Sequence, residues 1–379
     1  MGSLINLGIL GFGLHSIGLI AEMDNHPLLK GRSKLVAGFD PNPDVQDMIK
    51  KREGIKKATS FEDLLDTKDL DAIIITSPPQ YHANQVIAAL ESGLHVFSEI
   101  PMAIREQDIE KIVNAEEQSG NVYQLGENSC FFPEVLFAAD LTSTGKIGEA
   151  VYAEAEYLHD VTYRWKEQGF GDIDTPRVDS WYQLFDPMMY AHAIGPAQVV
   201  LGGLKTPMPF VEVTSFANDL GGYQGDPICK PAKAFQVALF RTESTAIAKC
   251  ANAYIFAREP TRYSIQIVGR TGTYECSQFD KPGRLFIADG HKISKIHHRR
   301  GKIIRNIDHE YIFKRIPRVE ASESGTYIRI LDDWFNAIKR GVIPLLHAKV
   351  AANFCLSGIR ASQSARDGGK PKKIKTYTD

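Results

Sequence analysis

The sequence predicts a doubly wound α/β domain followed by an α+β domain with an open, mainly antiparallel sheet. The first prediction rests on short apolar strands that alternate with helical segments up to residue 126. It also rests on the continuous apolar run within 71–76, which is typical of a parallel strand buried on both faces. The second rests on the change, from residue 127 onward, to a succession of strands with few helices between them.

The predicted elements of the first domain, 1–126, follow one another in a regular order. The strands are predicted at 4–10, 34–40, 71–76, 95–99 and 122–126. The helices are predicted at 17–23, 44–52, 83–92 and 106–119, with a short amphipathic piece at 61–65. Because the carboxyl ends of parallel strands meet at one edge of such a sheet, we expect a ligand crevice at that edge.

A glycine turn follows the first strand. Gly11 permits the turn, and Gly13 lets backbone approach a pyrophosphate at the N-terminus of the next helix. Ser16 stands where G-x-G-x-x-G has its third glycine, and its small side chain still allows the helix to pack on the strand. Asp40 ends the second strand, where an acid accepts hydrogen bonds from ribose hydroxyls and repels a 2′-phosphate. The sequence therefore predicts a site for NAD, with NADP the weaker candidate.

Composition argues against several classes of protein. Of the 379 residues, 43% are apolar and 24% are charged, and the net charge of −2 favours neither nucleic acid nor a membrane surface. We find no apolar run of transmembrane length and expect no secretory leader. The five cysteines form no C-x-x-C pair, so we expect reduced thiols and a cytoplasmic protein.

The second domain, 127–379, is predicted to begin with a helix at 134–144 and a long strand at 150–165. Alternate residues place aromatic and imidazole side chains on one face of that strand: Tyr157, His159, Tyr163 and Trp165. This face suits a sugar-binding wall, and it equally suits a strand packed on one side. Further strands are predicted at 210–218, 234–240, 245–254, 263–269 and 272–275. The other face of the sheet that these strands form is a plausible contact surface between copies of the chain, so we expect a homodimer or homotetramer.

A stretch in the first domain carries a specific resemblance. Residues 76–103 contain Pro78 with His82, the run AALESGLHV, and then Glu99-Ile100-Pro101. They resemble the core of the Gfo/Idh/MocA family, the glucose–fructose oxidoreductase and inositol dehydrogenase relatives, and the resemblance extends to the C-terminus. It implies a Rossmann domain, last helices (about 326–366) packed back toward it, and an NAD-dependent oxidoreductase that acts on a sugar, cyclitol or glycoside. With the glycine turn, the implied cofactor-binding residues are Gly11, Phe12, Gly13, Leu14, His15, Ser16, Asp40, Thr76, Ser77, Pro78, His82, Glu99 and Pro101.

One departure from the family pattern bears on the chemistry. The lysine of Glu-Lys-Pro, assigned in the family to proton transfer or to positioning the substrate hydroxyl, is Ile100 here. Isoleucine has no donor, acceptor or charge for either task. Three alternatives follow. Another group supplies the proton relay; or hydride leaves and returns in a redox-neutral lyase or glycosidase; or the chain is a catalytically silent NAD- or sugar-binding protein.

The family's catalytic helix, with its Asp-x-Gly-x-His motif, matches a helix predicted at 181–201. His192 keeps the histidine, whereas the aspartate falls on Met188 and the small residue on Tyr190. We expect His192 to be the general acid/base, because imidazole titrates near neutrality, and Tyr190 to contribute its phenol. The substrate-binding candidates are Ile100, His159, Tyr163, Trp165 and His192.

Two further predictions concern the surroundings of this motif. Asp186 is expected to cap the helix ahead of Pro187, a residue that suits a first helical position. His159, Asp160 and His192 are residue types that can bind a metal, but no tight ligand spacing supports a closed zinc site. We therefore predict no metal.

Overall fold

The computed structural model describes residues 4–43, 45–46, 54–159, 171–172, 175–176, 186–218, 235–253, 262–277, 282–293, 299–315 and 323–378. The chain divides into two compact units. Unit 1 comprises residues 1–127, 324–355 and 379, and unit 2 comprises 128–323 and 356–378. Most of the helix predicted at 44–52 lies outside the described residues.

The described elements are as follows. The strands are β1 (Ile5–Leu10), β2 (Ser33–Phe39), β3 (Lys56–Lys57), β4 (Ala72–Ile75), β5 (His95–Ser98), β6 (Tyr123–Leu125), β7 (Ala150–Leu158), β8 (Gly171–Asp172), β9 (Thr175–Pro176), β10 (Phe210–Asn218), β11 (Phe235–Thr242), β12 (Ile247–Ala253), β13 (Arg262–Gly269), β14 (Gly272–Glu275), β15 (Gly283–Ile293), β16 (Arg299–Ile307) and β17 (Lys372–Lys373). The α-helices are α1 (Leu14–Asn25), α2 (Phe61–Leu65), α3 (Pro79–Glu91), α4 (Glu106–Ser119), α5 (Pro133–Ser143), α6 (Ile194–Gly202), α7 (His309–Phe313), α8 (Glu323–Arg340) and α9 (Ala348–Arg366). Two 3-10 helices cover Asn128–Phe131 and Pro187–Tyr190.

Unit 1 is built on a six-stranded parallel sheet with the order β3-β2-β1-β4-β5-β6. The doubly wound sheet predicted from the sequence is confirmed. All four residues of β4 are buried, which explains why the strand contains only apolar side chains. The strand order reverses between β1 and β4, and open α/β sheets bind ligands at the carboxyl ends of the strands at such a point.

Helix α8 is tied to the rest of unit 1 by aromatic and ionic contacts. The ring of Trp334 lies 5.6 Å from that of Phe97 on β5, and both side chains are fully buried. Arg32, just before β2, donates to Asn336 at 2.9 Å and also pairs with Asp332. Residues 324–355 therefore complete the core of unit 1, although they lie about 200 residues after its sheet in the sequence.

The carboxyl of Glu116 on α4 makes unit 1 sensitive to pH. It accepts hydrogen bonds from the backbone N–H groups of Tyr123, at 3.1 Å, and Ala348, at 3.0 Å, the latter at the start of α9. Burial raises the pKa of this carboxyl to about 7, although both hydrogen bonds and nearby Lys349 act in the opposite direction and Glu117 adds to the increase. In the folded state the group keeps its proton to a higher pH than in the unfolded chain.

We therefore expect stability to fall between about pH 4.5 and pH 7, because the folded state binds more protons than the unfolded chain in that interval. Glu116→Gln should flatten this part of the pH dependence by about 2–3 kcal/mol. The measurement is urea unfolding at several values of pH. Glu117→Gln is the matched control, since this neighbouring side chain is half-exposed and pairs with Lys349 at 3.1 Å. Equal slopes in wild type and Glu116→Gln would contradict the prediction.

Unit 2 is built on a nine-stranded sheet with the order β16-β15-β14-β13-β7-β12-β11-β10-β17. Strands β7 and β12 pair in parallel, and the other pairs are antiparallel. The predicted α+β architecture with a mainly antiparallel sheet is confirmed. Helices α5 and α6 pack on one face of the sheet. The small side chains of Ala153, Ala155 and Ala248 on that face are buried and allow close packing of the helices.

The helix predicted at 181–201 was wrong in its extent. Within the described residues, the segment contains the 3-10 helix Pro187–Tyr190, and α6 begins only at Ile194. Ala191 between them has φ +63°, a left-handed conformation that interrupts a right-handed helix. Pro196 was the missed signal, because proline fits the first turn of a helix and breaks its interior. The strand predicted at 150–165 ends at Leu158, and 160–170 lie outside the described residues.

Among the described residues, we find no helix with the length and apolar character needed to cross a membrane.

Candidate functional site

The glycine turn between β1 and α1 is built from tight backbone contacts. Gly11 has φ +86°, and a Cβ atom there would lie 2.9 Å from the backbone nitrogen of Ser77 and the carbonyl carbon of Thr76. Only glycine fits both the conformation and the space. Gly13 differs, because a Cβ atom there would meet nothing within 4 Å. The turn is therefore closed toward β4 and open on the side of Gly13.

Ser16 supports this turn from inside. Its side chain is buried, and its hydroxyl lies 2.9 Å from the carbonyl oxygens of both Gly11 and Gly13. Thr76 donates its hydroxyl to the same Gly11 carbonyl at 2.6 Å. The hydroxyl of Ser16, at the third glycine position, therefore stabilises the glycine turn through the carbonyl oxygens of Gly11 and Gly13. Thr76 stabilises the same turn through the carbonyl of Gly11.

The first turn of α1 offers backbone donors. At the start of the helix, the N–H of Ile17 donates to the carbonyl of Gly13 at 3.1 Å. The N–H groups of residues 14–16 precede that bond, and such groups at a helix N-terminus attract anions. They stand beside the open side of Gly13, at the position where the sequence predicts a pyrophosphate.

Asp40 lies at the carboxyl end of β2 and closes the turn on its other side. Its Oδ2 accepts the backbone N–H of Phe12 at 2.7 Å, and its Oδ1 accepts that of Asn42 at 2.9 Å. The carboxylate is half-buried and is fixed by these two bonds. Each oxygen keeps a second lone pair, so the carboxylate can also accept from ribose hydroxyls.

His82 is a structural residue of unit 1. It is 1% exposed, and its ring lies between two carbonyl oxygens, with Nε2 2.7 Å from Ser77 O and Nδ1 2.8 Å from Pro101 O. Burial lowers the pKa of the imidazole, opposed by these two bonds and by Glu99. The contact predicted between His82 and a cofactor is replaced by a bridge between the loops after β4 and β5. Pro78 and Pro101 flank that bridge.

His15 and Glu99 form a second pair at the rim of the turn. His15 Nε2 lies 2.8 Å from Glu99 Oε1, at the end of β5. The ring of Tyr327, from α8, meets the ring of His15 edge-on at a centroid distance of 5.0 Å. Sequence reasoning missed Tyr327, because it lies far along the chain and belongs to no motif of the first domain.

The arrangement of unit 1 fits an adenine dinucleotide. The open side of Gly13, the donors of the first helical turn and the fixed carboxylate of Asp40 lie at the carboxyl ends of β1 and β2. A diphosphate requires the first two, and an unphosphorylated ribose requires the third.

The candidate residues of unit 2 belong to a cluster of aromatic rings. The His192 ring stacks on Tyr157 of β7 at a centroid distance of 4.1 Å and an angle of 23°. Tyr157 also meets His159 at 5.8 Å and Tyr263 of β13 at 4.7 Å. Phe132 contacts Tyr263 at 4.8 Å. The structure therefore brings together His192 and His159, which the sequence predicted for the site, and adds Tyr263 and Phe132.

His192 lies in the turn before α6, and its carbonyl accepts the hydroxyl of Ser129 at 3.0 Å. Its half-buried ring is therefore presented by a turn instead of a helix. Tyr190 is only 3% exposed, which leaves its phenol little access to a substrate. Tyr163 and Trp165 lie outside the described residues.

Asp186 does not act as the predicted side-chain cap. It precedes the 3-10 helix, but no side-chain hydrogen bond caps that helix. Instead, its buried carboxylate accepts Arg366 Nε of α9 at 3.1 Å. The described residues contain no group of three or more His, Cys, Asp or Glu side chains that could hold a metal ion.

Comparison with known proteins finds a family resemblance in the first part of the chain. Residues 5–127 match the model of an oxidoreductase family with an NAD-binding Rossmann fold, GFO_IDH_MocA. Over these residues the chain is similar to the NAD-binding domain of that family. The resemblance stated from the sequence is confirmed.

Solved structures show a likeness in fold over nearly the whole chain. Levoglucosan dehydrogenase in complex with NADH aligns with a TM-score of 0.78 over 99% of this chain and 100% of that chain, at 17% identity. The scyllo-inositol dehydrogenase of Lactobacillus casei, with bound NAD(H) and scyllo-inositol, gives a TM-score of 0.71 over 98% and 99%, at 18% identity. At these identities the likeness shows a shared fold.

Curated relatives match over a smaller part. A glycosyl hydrolase family 109 protein of Shewanella baltica (strain OS155) is 33% identical over 108 residues, which are 28% of this chain and 24% of that protein. Another, from Stenotrophomonas maltophilia (strain K279a), is 24% identical over 258 residues, or 60% of this chain and 55% of that protein. The chain thus spans between about a quarter and about half the length of these relatives.

At two positions the chain departs from the family pattern stated above. Ile100 is half-buried and carries no group for proton transfer. Met188, at the position of the family's aspartate, is fully buried. Neither side chain can exchange a proton with a substrate, so the candidate proton acceptor at these motifs is His192, while Glu99 of the first motif pairs with His15.

Proposed function

We propose that the chain is an NAD-dependent oxidoreductase that oxidises a CH–OH group of a sugar, cyclitol or glycoside. The observation that carries the proposal is the open space at Gly13, between the donors of α1 and the carboxylate of Asp40. These residues would hold the diphosphate and the adenosine ribose of NAD. The negative charge of Asp40 repels a 2′-phosphate, which favours NAD over NADP.

Unit 2 supplies the residues for the substrate. Small-molecule sites combine an apolar or aromatic lining with a few polar groups that fix orientation. The rings of Tyr157, Tyr263 and Phe132 provide such a lining, and His192 is the polar group among them. Bound NAD supplies the acceptor for hydride. His192 takes the proton of the substrate hydroxyl, and stacking on Tyr157 fixes the plane of the imidazole that receives it.

The test combines binding and turnover. Calorimetry with NAD and NADP should show binding of NAD and weaker binding of NADP. With NAD and a panel of sugars and cyclitols, we expect net formation of NADH, followed by its absorbance. Absence of heat and of a melting shift with both dinucleotides would exclude the proposal. Binding of NAD without any conversion would instead support a catalytically silent binding protein.

A second function is favoured by Ile100 together with the glycosyl hydrolase family 109 relatives. A chain without the motif lysine suits a redox-neutral lyase or glycosidase, in which the substrate loses a hydride and later regains it. Electrons then balance within one turnover, and NAD is regenerated. The two functions separate cleanly, because release of an aglycone without net NADH supports this second function alone.

We also propose that the chain associates with a second copy through the outer face of the nine-stranded sheet. This face carries exposed apolar side chains on four strands, namely Phe216, Leu239, Ile247 and Ile303. Two ion pairs lie within this face, Lys249 with Glu154 at 2.7 Å and Arg241 with Glu212 at 3.2 Å. An apolar face without excess charge lets two copies approach without repulsion.

The double variant Leu239→Glu/Ile247→Glu should reduce the assembly to a monomer of 42.1 kDa, because the carboxylates of both copies would be buried against apolar side chains. Light scattering after size exclusion measures the mass. Ile343→Glu in unit 1 is the control, since this side chain is 72% exposed and lies outside the sheet. A wild-type protein of monomer mass would exclude the proposal.

The remaining part of the proposal concerns location. Cys130, Cys250, Cys276 and Cys355 are free thiols, and all four are buried. Reduced cysteines are usual in the cytoplasm, which supports a cytoplasmic protein.

A further inference from the structure

Two amide side chains from the inner face of the sheet bond to the backbone just before His192. Gln236 of β11 accepts the N–H of Met188 with its Oε1 at 3.1 Å. Asn252 of β12 donates its Nδ2 to the carbonyl of Pro187 at 2.5 Å. Both amide side chains are fully buried, so each bond is made in surroundings where a lost partner is costly. The 3-10 helix 187–190 is thus fixed to the sheet by its backbone.

The far end of Gln236 is fixed as well. Its Nε2 donates to the hydroxyl of Ser215 on β10 at 3.0 Å, and that hydroxyl donates to the carbonyl of Val237 at 3.0 Å. The backbone N–H of Ser215 donates to the hydroxyl of Ser364 on α9 at 2.9 Å. The amide of Gln236 therefore has one orientation, because its oxygen faces a donor and its nitrogen faces an acceptor.

Helix α9 holds the same turn from another side. A Cβ atom at Gly358 would lie 2.7 Å from the carbonyl oxygen of Met188 and 2.9 Å from the Cα of Met189. Only a glycine allows so close an approach between a helix and this backbone. Arg366 pairs with Asp186, immediately before the 3-10 helix, at 3.1 Å.

These contacts end at a strained residue. Ala191 has φ +63°, a conformation that costs free energy for any side chain other than glycine and persists only where neighbours enforce it. Ala191 donates to the carbonyl of Met188 at 3.2 Å and accepts from Gly195 at 2.7 Å. The direction in which His192 leaves the turn, and hence its stacking on Tyr157 at 4.1 Å, follows from that conformation.

We propose that Gln236 is a positioning residue for His192. By holding the N–H of Met188, it keeps the turn in the one conformation that places the imidazole on Tyr157. Met188 occupies the position of the family's aspartate, and the group that Gln236 holds there is the backbone N–H. The effect on turnover rests on the proposed function, whereas the effect on the imidazole does not.

The test reads the imidazole directly. In protein labelled with 13C-histidine, the ring C–H signals of His192 are identified by their loss in His192→Gln. Stacking at 4.1 Å on Tyr157 should displace them upfield in wild type. Gln236→Met, which keeps the side-chain length and removes both bonds, should abolish that displacement and lower kcat at least tenfold, with KM for NAD unchanged. Gln236→Glu retains an oxygen acceptor for Met188 and should restore the displaced signals.

Gln198→Met is the matched control. Gln198 is also a fully buried glutamine of unit 2, but its Nε2 donates to the hydroxyl of Ser357 at 3.2 Å instead of the turn. This variant should keep the upfield His192 signals. Unchanged signals in Gln236→Met would overturn the proposal, and so would equal changes in both methionine variants. If Gln236→Met does not fold, the test rests on Gln236→Glu. In that case, loss of the upfield His192 signals from folded Gln236→Glu would overturn the proposal. If the His192 signals behave as expected in all variants but the wild type turns over no substrate, the positioning role of Gln236 stands and the proposed function is rejected.

Discussion

Replacing Gly13 by valine is expected to weaken the binding of NAD at least a hundredfold while the fold of unit 1 stays intact. A Cβ atom at Gly13 meets no protein atom within 4 Å, and its φ of −76° is one that valine adopts freely. The valine methyl groups would instead occupy the space that a diphosphate needs beside the first turn of α1. We expect the free energy of unfolding to change by about 1 kcal/mol or less, the cost of valine in place of glycine at the N-cap.

Two other glycines make this prediction specific. Gly11→Ala should lower the melting temperature, because its Cβ would lie 2.9 Å from backbone atoms of Thr76 and Ser77 and its φ is +86°. Gly18 lies in an exposed position of α1, and a Cβ atom there would meet no atom within 4 Å. Gly18→Ala should therefore reduce neither the affinity for NAD nor the melting temperature. Calorimetry and thermal unfolding separate the three outcomes. Undiminished binding of NAD by Gly13→Val would mean that the dinucleotide does not pass this glycine.

The loop around these glycines could be predicted from the sequence because its signals are local. A strand, two glycines and a helix follow one another without interruption, and Asp40 ends the adjacent strand. The steric demand on Gly11 and the position of the carboxylate follow directly from that order. Five of the six parallel strands were likewise predicted, because burial on both faces requires apolar runs such as β4. The sixth, β3, consists of two lysines and leaves no such pattern.

Contacts between distant segments were not predictable in the same way. Tyr327 meets His15 across more than 300 positions of sequence, and no periodicity links them. The sequence placed His82 in the right region, but only the two carbonyl oxygens at its ring nitrogens reveal a bridge between loops. A histidine beside a cofactor site and a histidine within its scaffold carry the same local signature.

In unit 2, the sequence identified His192 as the candidate base but did not predict the turn that presents it. The motif position identified His192, and strand alternation placed Tyr157 and His159 on one face. The left-handed Ala191, which ends the 3-10 helix, has no residue-type signal, because alanine is a strong helix former. The conformation depends on Gln236 and Asn252, which lie on strands formed later in the chain. Tertiary contacts have overridden local propensity here.

His192→Ala is expected to lower turnover by roughly a hundredfold or more while the affinity for NAD stays within about twofold of wild type. The imidazole would be lost from its stack on Tyr157, and neither Ile100 nor Met188, at the positions of the family's lysine and aspartate, could take the hydroxyl proton in its place. Initial rates at saturating NAD, with affinity measured separately by calorimetry, test both parts of the prediction.

Two further variants, Tyr157→Leu and His26→Ala, test whether a loss of turnover in His192→Ala comes from loss of the His192 imidazole itself. Tyr157→Leu removes the ring under His192 but leaves the imidazole, so we expect a smaller loss of turnover than in His192→Ala. His26→Ala, at the end of α1 in unit 1, removes an imidazole that neither motif contains and should leave turnover unchanged. A loss in Tyr157→Leu as large as that in His192→Ala would assign the chemistry to the phenol. Unchanged turnover in His192→Ala would remove this histidine from the reaction, because general-base catalysis cannot survive loss of the base at an undiminished rate.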